Sequence, residues 1–130
     1  MAVNGKRKGK NGENELARIL REYGYEDVRR SVQYNGKEED GQADLIGLPG
    51  IHIECKRTES FKMYDAVNQA VRDSEGKGEI PVVFHRRNKQ GWVAIMRIED
   101  FMHLYKGYEA GVQLADEILE EMGDGLDEVF

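Results

Sequence analysis

The sequence is poor in cysteine, in proline and in long apolar runs. Its 130 residues include one cysteine and two prolines. A single cysteine forms no intramolecular disulfide and no multi-cysteine zinc site, which excludes disulfide-rich scaffolds and zinc fingers. No apolar stretch approaches the roughly 18 residues of a membrane helix, and no signal-peptide pattern follows the first methionine. We therefore expect a soluble, cytoplasmic protein with one core and no membrane partner.

Basic residues are absent from the C-terminal end. Positions 107–130 hold eight acidic residues and no lysine or arginine, and the whole chain has a formal net charge of −6. Without these eight acids, positions 1–106 hold 17 acidic and 19 basic residues, a local balance of +2. We expect a domain over 1–106 that starts with a flexible basic arm, and an acidic helix and tail over 107–130. The negative total therefore does not exclude a nucleic-acid partner for the domain.

Hydrophobic periodicity and turn residues divide the chain into nine elements. They are a helix over 11–23 with Asn11 as its N-cap, strands over 27–34, 43–48 and 51–57, a helix over 63–73, strands over 80–85 and 92–96, and helices over 98–106 and 108–122. A polar stretch over 37–41 is expected to be a mobile loop. A helix between the third and fourth strands predicts a parallel crossover, and the short Pro49-Gly50 connection predicts an antiparallel hairpin, so the sheet is mixed.

The strand over 51–57 has an unusual polar face, because side chains alternate along a strand. One face holds Ile51, Ile53 and Cys55, and the other holds His52, Glu54 and Lys56. We interpret Cys55 as a small core residue and His52 as a surface histidine. Glu54 and Lys56, taken alone, favour a solvent-facing cross-strand charge pair.

Asp44 changes the interpretation of that face. It lies within the apolar run 43–48, and the hairpin brings it near Glu54. A buried carboxylate needs a partner, and two carboxylates beside a lysine form an oxygen-rich site that suits Mg²⁺ or Mn²⁺. A plain two-residue turn would place Asp44 opposite Cys55, on the wrong face. We therefore predict an irregularity around 47–50 that sets Asp44 opposite Glu54.

The first helix supplies a third carboxylate. On a helical wheel, Glu13 lies about 60° from the centre of the apolar stripe, whereas Glu15 lies about 100° away on the other side. We expect Glu13 to lean inward and Glu15 to pair with Arg18 on the surface.

These residues together resemble a known pattern. Glu13, the run Ala43-Asp44-Leu45-Ile46 and the run Ile53-Glu54-Cys55-Lys56 are similar to the PD-(D/E)XK nuclease motif. Over about residues 7–105 the chain resembles the small Holliday-junction-resolvase-type nucleases of archaea and phages. Ala43 replaces the usual proline, at a position that ligates no metal. The resemblance implies an α/β, restriction-endonuclease-like core (αβββαβ) with a mixed sheet flanked by helices, plus a C-terminal helix, in a bacterial or phage-infected cell.

The resemblance also implies residue roles. Asp44, Glu54 and the backbone carbonyl of Cys55 would ligate Mg²⁺ (or Mn²⁺), with Glu13 joining directly or through water. Lys56 would orient the attacking water or stabilise charge on the phosphate. Ser31 and Gln69 would support the site.

The implied activity is metal-dependent cleavage of branched DNA, most of all four-way junctions, by a homodimer that leaves 5′-phosphate and 3′-hydroxyl ends. The expected DNA contacts are basic: Lys6, Arg7, Lys8, Lys10, Arg29, Arg30, Arg86, Arg87 and Lys89. The stripe Val112, Ala115, Leu119 and Met122 fits either a dimer interface or packing on its own domain. A flap- or nick-directed or restriction-type nuclease, and a catalytically silent DNA-binding protein, are the alternatives.

Overall fold

The computed structural model describes residues 5–31 and 42–129, with side chains up to residue 123. Its elements are α1 (Gly5–Glu22), β1 (Arg29–Arg30), β2 (Leu45–Ile46), β3 (Ile51–Arg57), α2 (Met63–Ser74), β4 (Ile80–Arg86), β5 (Val93–Ile95) and α3 (Ile98–Val129). They divide into two compact units, Met1–Met96 and Arg97–Phe130. The predicted loop over 37–41 and the end of the predicted strand over 27–34 lie outside the described residues.

The first unit is built on one five-stranded sheet with the order β1-β2-β3-β4-β5. Neighbouring strands are antiparallel except β3 and β4, which are parallel over seven residue pairs. Parallel neighbours need a crossover, and α2 supplies it between β3 and β4. The predicted mixed sheet, hairpin and crossover helix are therefore confirmed.

The core has two parts, one on each side of the sheet. The α1 side contains Leu16 and Ala17 of the helix packed with Val28, Leu45 and Ile53. The α2 side contains Ala66 and Ala70 packed on Val83. Val83 is aligned with Glu54, the neighbour of Ile53, so alternation places these two apolar side chains on opposite faces. The sheet is thus covered by a helix on each face.

The predicted start of the first helix is wrong. Helix α1 begins at Gly5, so Asn11 lies inside the helix and is not its N-cap, and the basic residues of positions 6–10 are helical and do not form a flexible arm. Lysine and arginine are good helix formers, and they continue the helix although no apolar stripe marks these turns.

The second unit is the single helix α3. It continues through Gly107, where two separate helices were expected. One glycine costs a helix only about 1 kcal/mol, which the flanking residues offset. Within the described part of the chain, no helix combines the length and apolarity that a membrane span requires.

Gly12 allows α1 to lie close to β3. A Cβ atom at this position would lie 2.4 Å from Cβ and 2.9 Å from Cγ of Arg57. Because Cβ of Arg57 is fixed to the strand, the helix itself would have to move. We expect Gly12→Ala to lower the free energy of unfolding by about 1–3 kcal/mol, the usual cost of overpacking, measured by urea denaturation.

Gly9 provides the matched control in the same helix. Nothing lies within 4 Å of a Cβ atom built there. Gly9→Ala should therefore raise the free energy of unfolding by about 0.5–1 kcal/mol, because alanine loses less backbone entropy. Equal effects of the two substitutions would show that the approach of α1 to β3 does not depend on Gly12.

Candidate active site

The β2–β3 hairpin carries the predicted irregularity. Leu48 and Ile51 close a turn, with the amide of Ile51 donating to the carbonyl of Leu48 at 3.2 Å. A regular ladder from this turn would pair residue 45 with residue 54, but Leu45 pairs with Ile53. The β2 side therefore holds one extra residue, next to Gly47, whose φ of +100° favours glycine. A Cβ at Gly47 would also lie 2.2 Å from the carbonyl oxygen of Asp27.

This offset places Asp44 opposite Glu54, as predicted. The Asp44 amide donates to the carbonyl of Ile53 at 2.9 Å, and the Cys55 amide donates to Oδ2 of Asp44 at 2.8 Å. The Asp44 side chain is thus fixed against β3 by a backbone donor. The other carboxylate oxygen of Asp44, Oδ1, takes no part in this hydrogen bond.

Asp44 and Glu54 form a buried carboxylate pair. Glu54 is 3% exposed. Burial, followed by the charge of Glu54, raises the pKa of Asp44 to about 8, although the hydrogen bond from the Cys55 amide works in the opposite direction. Two such groups share a site without strong repulsion only when a proton or a cation lies with them.

Glu13 lies near this pair, at the α1 side. Its charge contributes to the raised pKa of Asp44, and its side chain is mostly buried. Nε of Arg30 donates to Oε2 of Glu13 at 2.6 Å, so the charge of Glu13 is compensated from β1. The inward orientation expected for Glu13 is consistent with this placement.

Glu15 does not make the expected surface pair with Arg18. It accepts hydrogen bonds from Nε1 of Trp92 at 2.7 Å and from the guanidinium of Arg86. Partial burial opposes ionisation, but these two donors hold the pKa of Glu15 below its usual value. The expectation was wrong because the partners, Arg86 at the end of β4 and Trp92 just before β5, are far away in the sequence.

Lys56 and Gln69 line one cavity. The cavity has a volume of about 440 Å³ and also includes Lys62 and Asp65 of the polar side of α2. Gln69 was expected on the polar side of this helix, and the supporting role that the resemblance implies for it stays a prediction. Next to Lys56, the thiol of Cys55 has a pKa raised far above its usual value, first by burial and then by the Asp44 charge. This excludes Cys55 as a thiolate nucleophile.

Ser31 connects β1 to the backbone of the site. Its hydroxyl donates to the carbonyl of Ala43, and its amide donates to the carbonyl of Asp44 at 3.1 Å. Ser31 therefore holds in place the backbone segment that carries Asp44, as expected of a residue that supports the site.

The expected DNA contacts differ in how they are engaged. Arg30 pairs with Glu13, and Arg86 bonds Glu15 and the carbonyl of Gln90, so both guanidinium groups are occupied within the protein. Others lie at the surface of α1 or of the β4–β5 turn: Lys6, Arg7, Lys10, Arg87 and Lys89. Lys8 pairs with Glu59 at 3.3 Å, and Arg29 donates to the carbonyl of Asp27.

His52 is buried, so its interpretation as a surface histidine is wrong. It is 0% exposed, and its Nε2 lies 2.9 Å from Oε1 of Glu54. His52, Glu54 and Asp73 each offer a possible ligand atom within 4.8 Å of one another. The sequence could have predicted the contact between His52 and Glu54. Both lie on the same face of β3, and buried polar side chains need hydrogen-bond partners within the protein.

The fold and the clustered carboxylates define an α/β protein with a candidate site for a divalent cation. The chain matches the model of the family described as "Phage putative PDDEXK endonuclease" over residues 4–120, and it belongs to that family. It is also similar in structure to Hjc from Archaeoglobus fulgidus, a Holliday junction resolvase of an archaeal hyperthermophile. The TM-score is 0.53 and the identity 21%, over 68% of this chain and 76% of the other. No curated protein matches the sequence.

The raised pKa of Asp44 predicts how stability depends on pH without metal. The unfolded chain releases this proton near pH 3.8, whereas the folded chain keeps it up to about pH 8. Between these values the folded state binds more protons, so the free energy of unfolding should fall as the pH rises. Urea denaturation in EDTA across this window measures the fall, and Asp44→Asn should flatten it.

Asp116→Asn is the control for that measurement, because it makes the same change on the exposed surface of α3. It should keep the wild-type slope. A wild-type stability that rises through this pH window would contradict the burial of a protonated Asp44.

Proposed function

We propose that this chain is a metal-dependent endonuclease that cuts branched DNA, with four-way junctions as its preferred substrate. The observation that carries the proposal is the buried Asp44–Glu54 pair, with Glu13 beside it, in a chain of an endonuclease family. Similarity to an archaeal resolvase supports the choice of substrate. The products would carry 5′-phosphate and 3′-hydroxyl ends.

The residues present fit a hard divalent cation. Asp44 and Glu54 offer adjacent carboxylate oxygens. Burying two negative charges together costs free energy, and a bound cation lowers that cost as a proton does. Asp44, Glu54 and the Cys55 carbonyl would hold Mg²⁺ or Mn²⁺, with Glu13 joining directly or through water. When bound, the ion neutralises phosphate charge and lowers the pKa of water.

The protein groups around this position have separate roles in the proposal. The Cys55 amide fixes one oxygen of Asp44, which leaves the other oxygen for the ion. Arg30 fixes Glu13 from the other side. Lys56, on the same face of β3 as Glu54, places a positive charge where the attacked phosphate gains negative charge.

DNA binding would rest on phosphate contacts. The basic residues at the surface of α1 and of the β4–β5 turn provide them, and such contacts are independent of sequence and weaken with salt. Arg30 and Arg86 are only partly exposed, and we assign them to holding Glu13 and Glu15 in place. Recognition would therefore follow the shape of the DNA.

A cleavage assay tests the proposal. The full chain is incubated with Mg²⁺ and a labelled four-way junction, a flap or a linear duplex of related sequence. We expect cleavage of the junction, and a loss of at least about 10³-fold in Asp44→Asn, because removing a ligand removes several kcal/mol of charge stabilisation. Asp116→Asn is the matched control and should cut at the wild-type rate.

Each substrate decides a different part of the proposal. If no substrate is cut in Mg²⁺ or Mn²⁺, the endonuclease assignment is overturned. If flaps or linear duplexes are cut and junctions are not, the nuclease remains and the junction preference is overturned.

We also propose that the protein acts as a homodimer. Helix α3 exposes the stripe Val112, Leu119 and Met122 to solvent, and symmetric cleavage of a junction needs two active sites. Sedimentation should give twice the chain mass of 14.9 kDa. Leu119→Ser should weaken the dimer, whereas Leu114→Ser, on the other side of the helix, should not; a wild-type monomer would contradict the proposal.

A further inference from the structure

A buried histidine contacts the central carboxylate of the site. His52 and Glu54 are on the same face of β3, and Nε2 of His52 lies 2.9 Å from Oε1 of Glu54. The side chains are 0% and 4% exposed, so water does not compete for this hydrogen bond. Few contacts in the described part of the chain are as completely buried.

The direction of this hydrogen bond follows from the proposed function. An ionised carboxylate only accepts, so Nε2 of His52 carries the hydrogen and donates it to Glu54. Nδ1 then has no hydrogen in the neutral ring. It has no hydrogen-bond partner among the described residues, and it lies 3.9 Å from Oε1 of Glu79.

Stability does not explain a histidine at this position. A buried ring nitrogen without a partner costs free energy, whereas an apolar side chain of similar volume would bury no polar atom. The Ile53 and Val83 neighbours show that β3 and β4 accommodate apolar side chains at full burial. The contribution of His52 is therefore to be found in its contact with Glu54.

Glu54 has to present one edge of its carboxylate to Asp44. Glu54 lies opposite Asp44 across the β2–β3 ladder, while its Oε1 contacts Nε2 of His52. A carboxylate rotates about its last torsion with little resistance. A donor on one oxygen therefore sets the direction of the lone pairs that remain.

We propose that His52 is a positioning residue that orients Glu54 for the divalent cation. The inference rests on the proposed function, and it resembles the general way in which hydrogen bonds from outside a metal site orient its ligands. His52 does not touch the ion or the DNA in this arrangement. Asp73 has no role in this arrangement, although it offers a possible ligand atom within 4.8 Å of those of His52 and Glu54.

The test measures Mn²⁺ affinity and not cleavage. Free Mn²⁺ is followed by electron paramagnetic resonance as it is titrated into the full chain. The amide nitrogen of glutamine reaches about as far as Nε2, and that of asparagine does not. We therefore expect His52→Asn to raise the Mn²⁺ dissociation constant about tenfold or more, and His52→Gln to change it by about threefold or less.

Two further variants separate positioning from other roles. Asp73→Asn should keep the wild-type Mn²⁺ affinity; a loss as large as that of His52→Asn would make Asp73 and His52 ligands and overturn the inference. Ser74→Ala removes the buried hydroxyl of the next residue in α2, which donates its hydrogen bond to the Val71 carbonyl. It should lower the urea midpoint without changing Mn²⁺ affinity.

The remaining outcomes also decide the matter. If both His52 variants bind Mn²⁺ with wild-type affinity, the inference is overturned. It is also overturned if both variants bind Mn²⁺ equally more weakly and both have an equally lowered urea midpoint in EDTA, because that pattern assigns His52 to packing. A wild-type chain that binds no Mn²⁺ overturns the proposed function and the inference together. A chain that binds Mn²⁺ in a His52-dependent way but cuts no DNA overturns the proposed function alone.

Discussion

The one-residue offset in the β2–β3 hairpin is the constraint on which the candidate site depends. The turn at Leu48–Ile51 and the Leu45–Ile53 pair cannot belong to one regular ladder. The extra residue beside Gly47 turns Asp44 toward the Cys55 amide, opposite Glu54. In a regular ladder the same Asp44 would lie opposite Cys55, and the carboxylate pair would not form.

The position of α1 depends on contacts made at the other end of the sheet. Gly12 lets the helix lie against Arg57. Glu15 is held by Arg86 at the end of β4 and by Trp92 just before β5. Glu13 lies between these two anchors in the sequence. The β4–β5 hairpin thus fixes the helix that supplies the third carboxylate, although it contributes no residue to the Asp44–Glu54 pair.

Local patterns in the sequence predicted most of this fold. The predictions that were wrong concern mainly contacts between residues that are distant in the sequence. Helix α2, the strands β3 and β4 and the irregular hairpin follow from periodicity, from turn residues and from the requirement that Asp44 face Glu54. The partners of Glu15 come from segments that are distant in the sequence, which no helical wheel specifies. The early start of α1 was missed because Gly5–Lys10 carries no apolar stripe.

Charge links the site to the rest of the chain. The balance of +2 over positions 1–106 already counts Glu13, Asp44 and Glu54 as negative. In the proposed metal-loaded state a divalent cation offsets two of these charges at the place where a phosphate would approach. Positions 1–106 are then more basic than the sequence total suggests, because eight of the acidic residues lie at positions 107–130. Metal binding and DNA binding would therefore favour each other through the same carboxylates, and salt would weaken the DNA contact more than the buried metal contact.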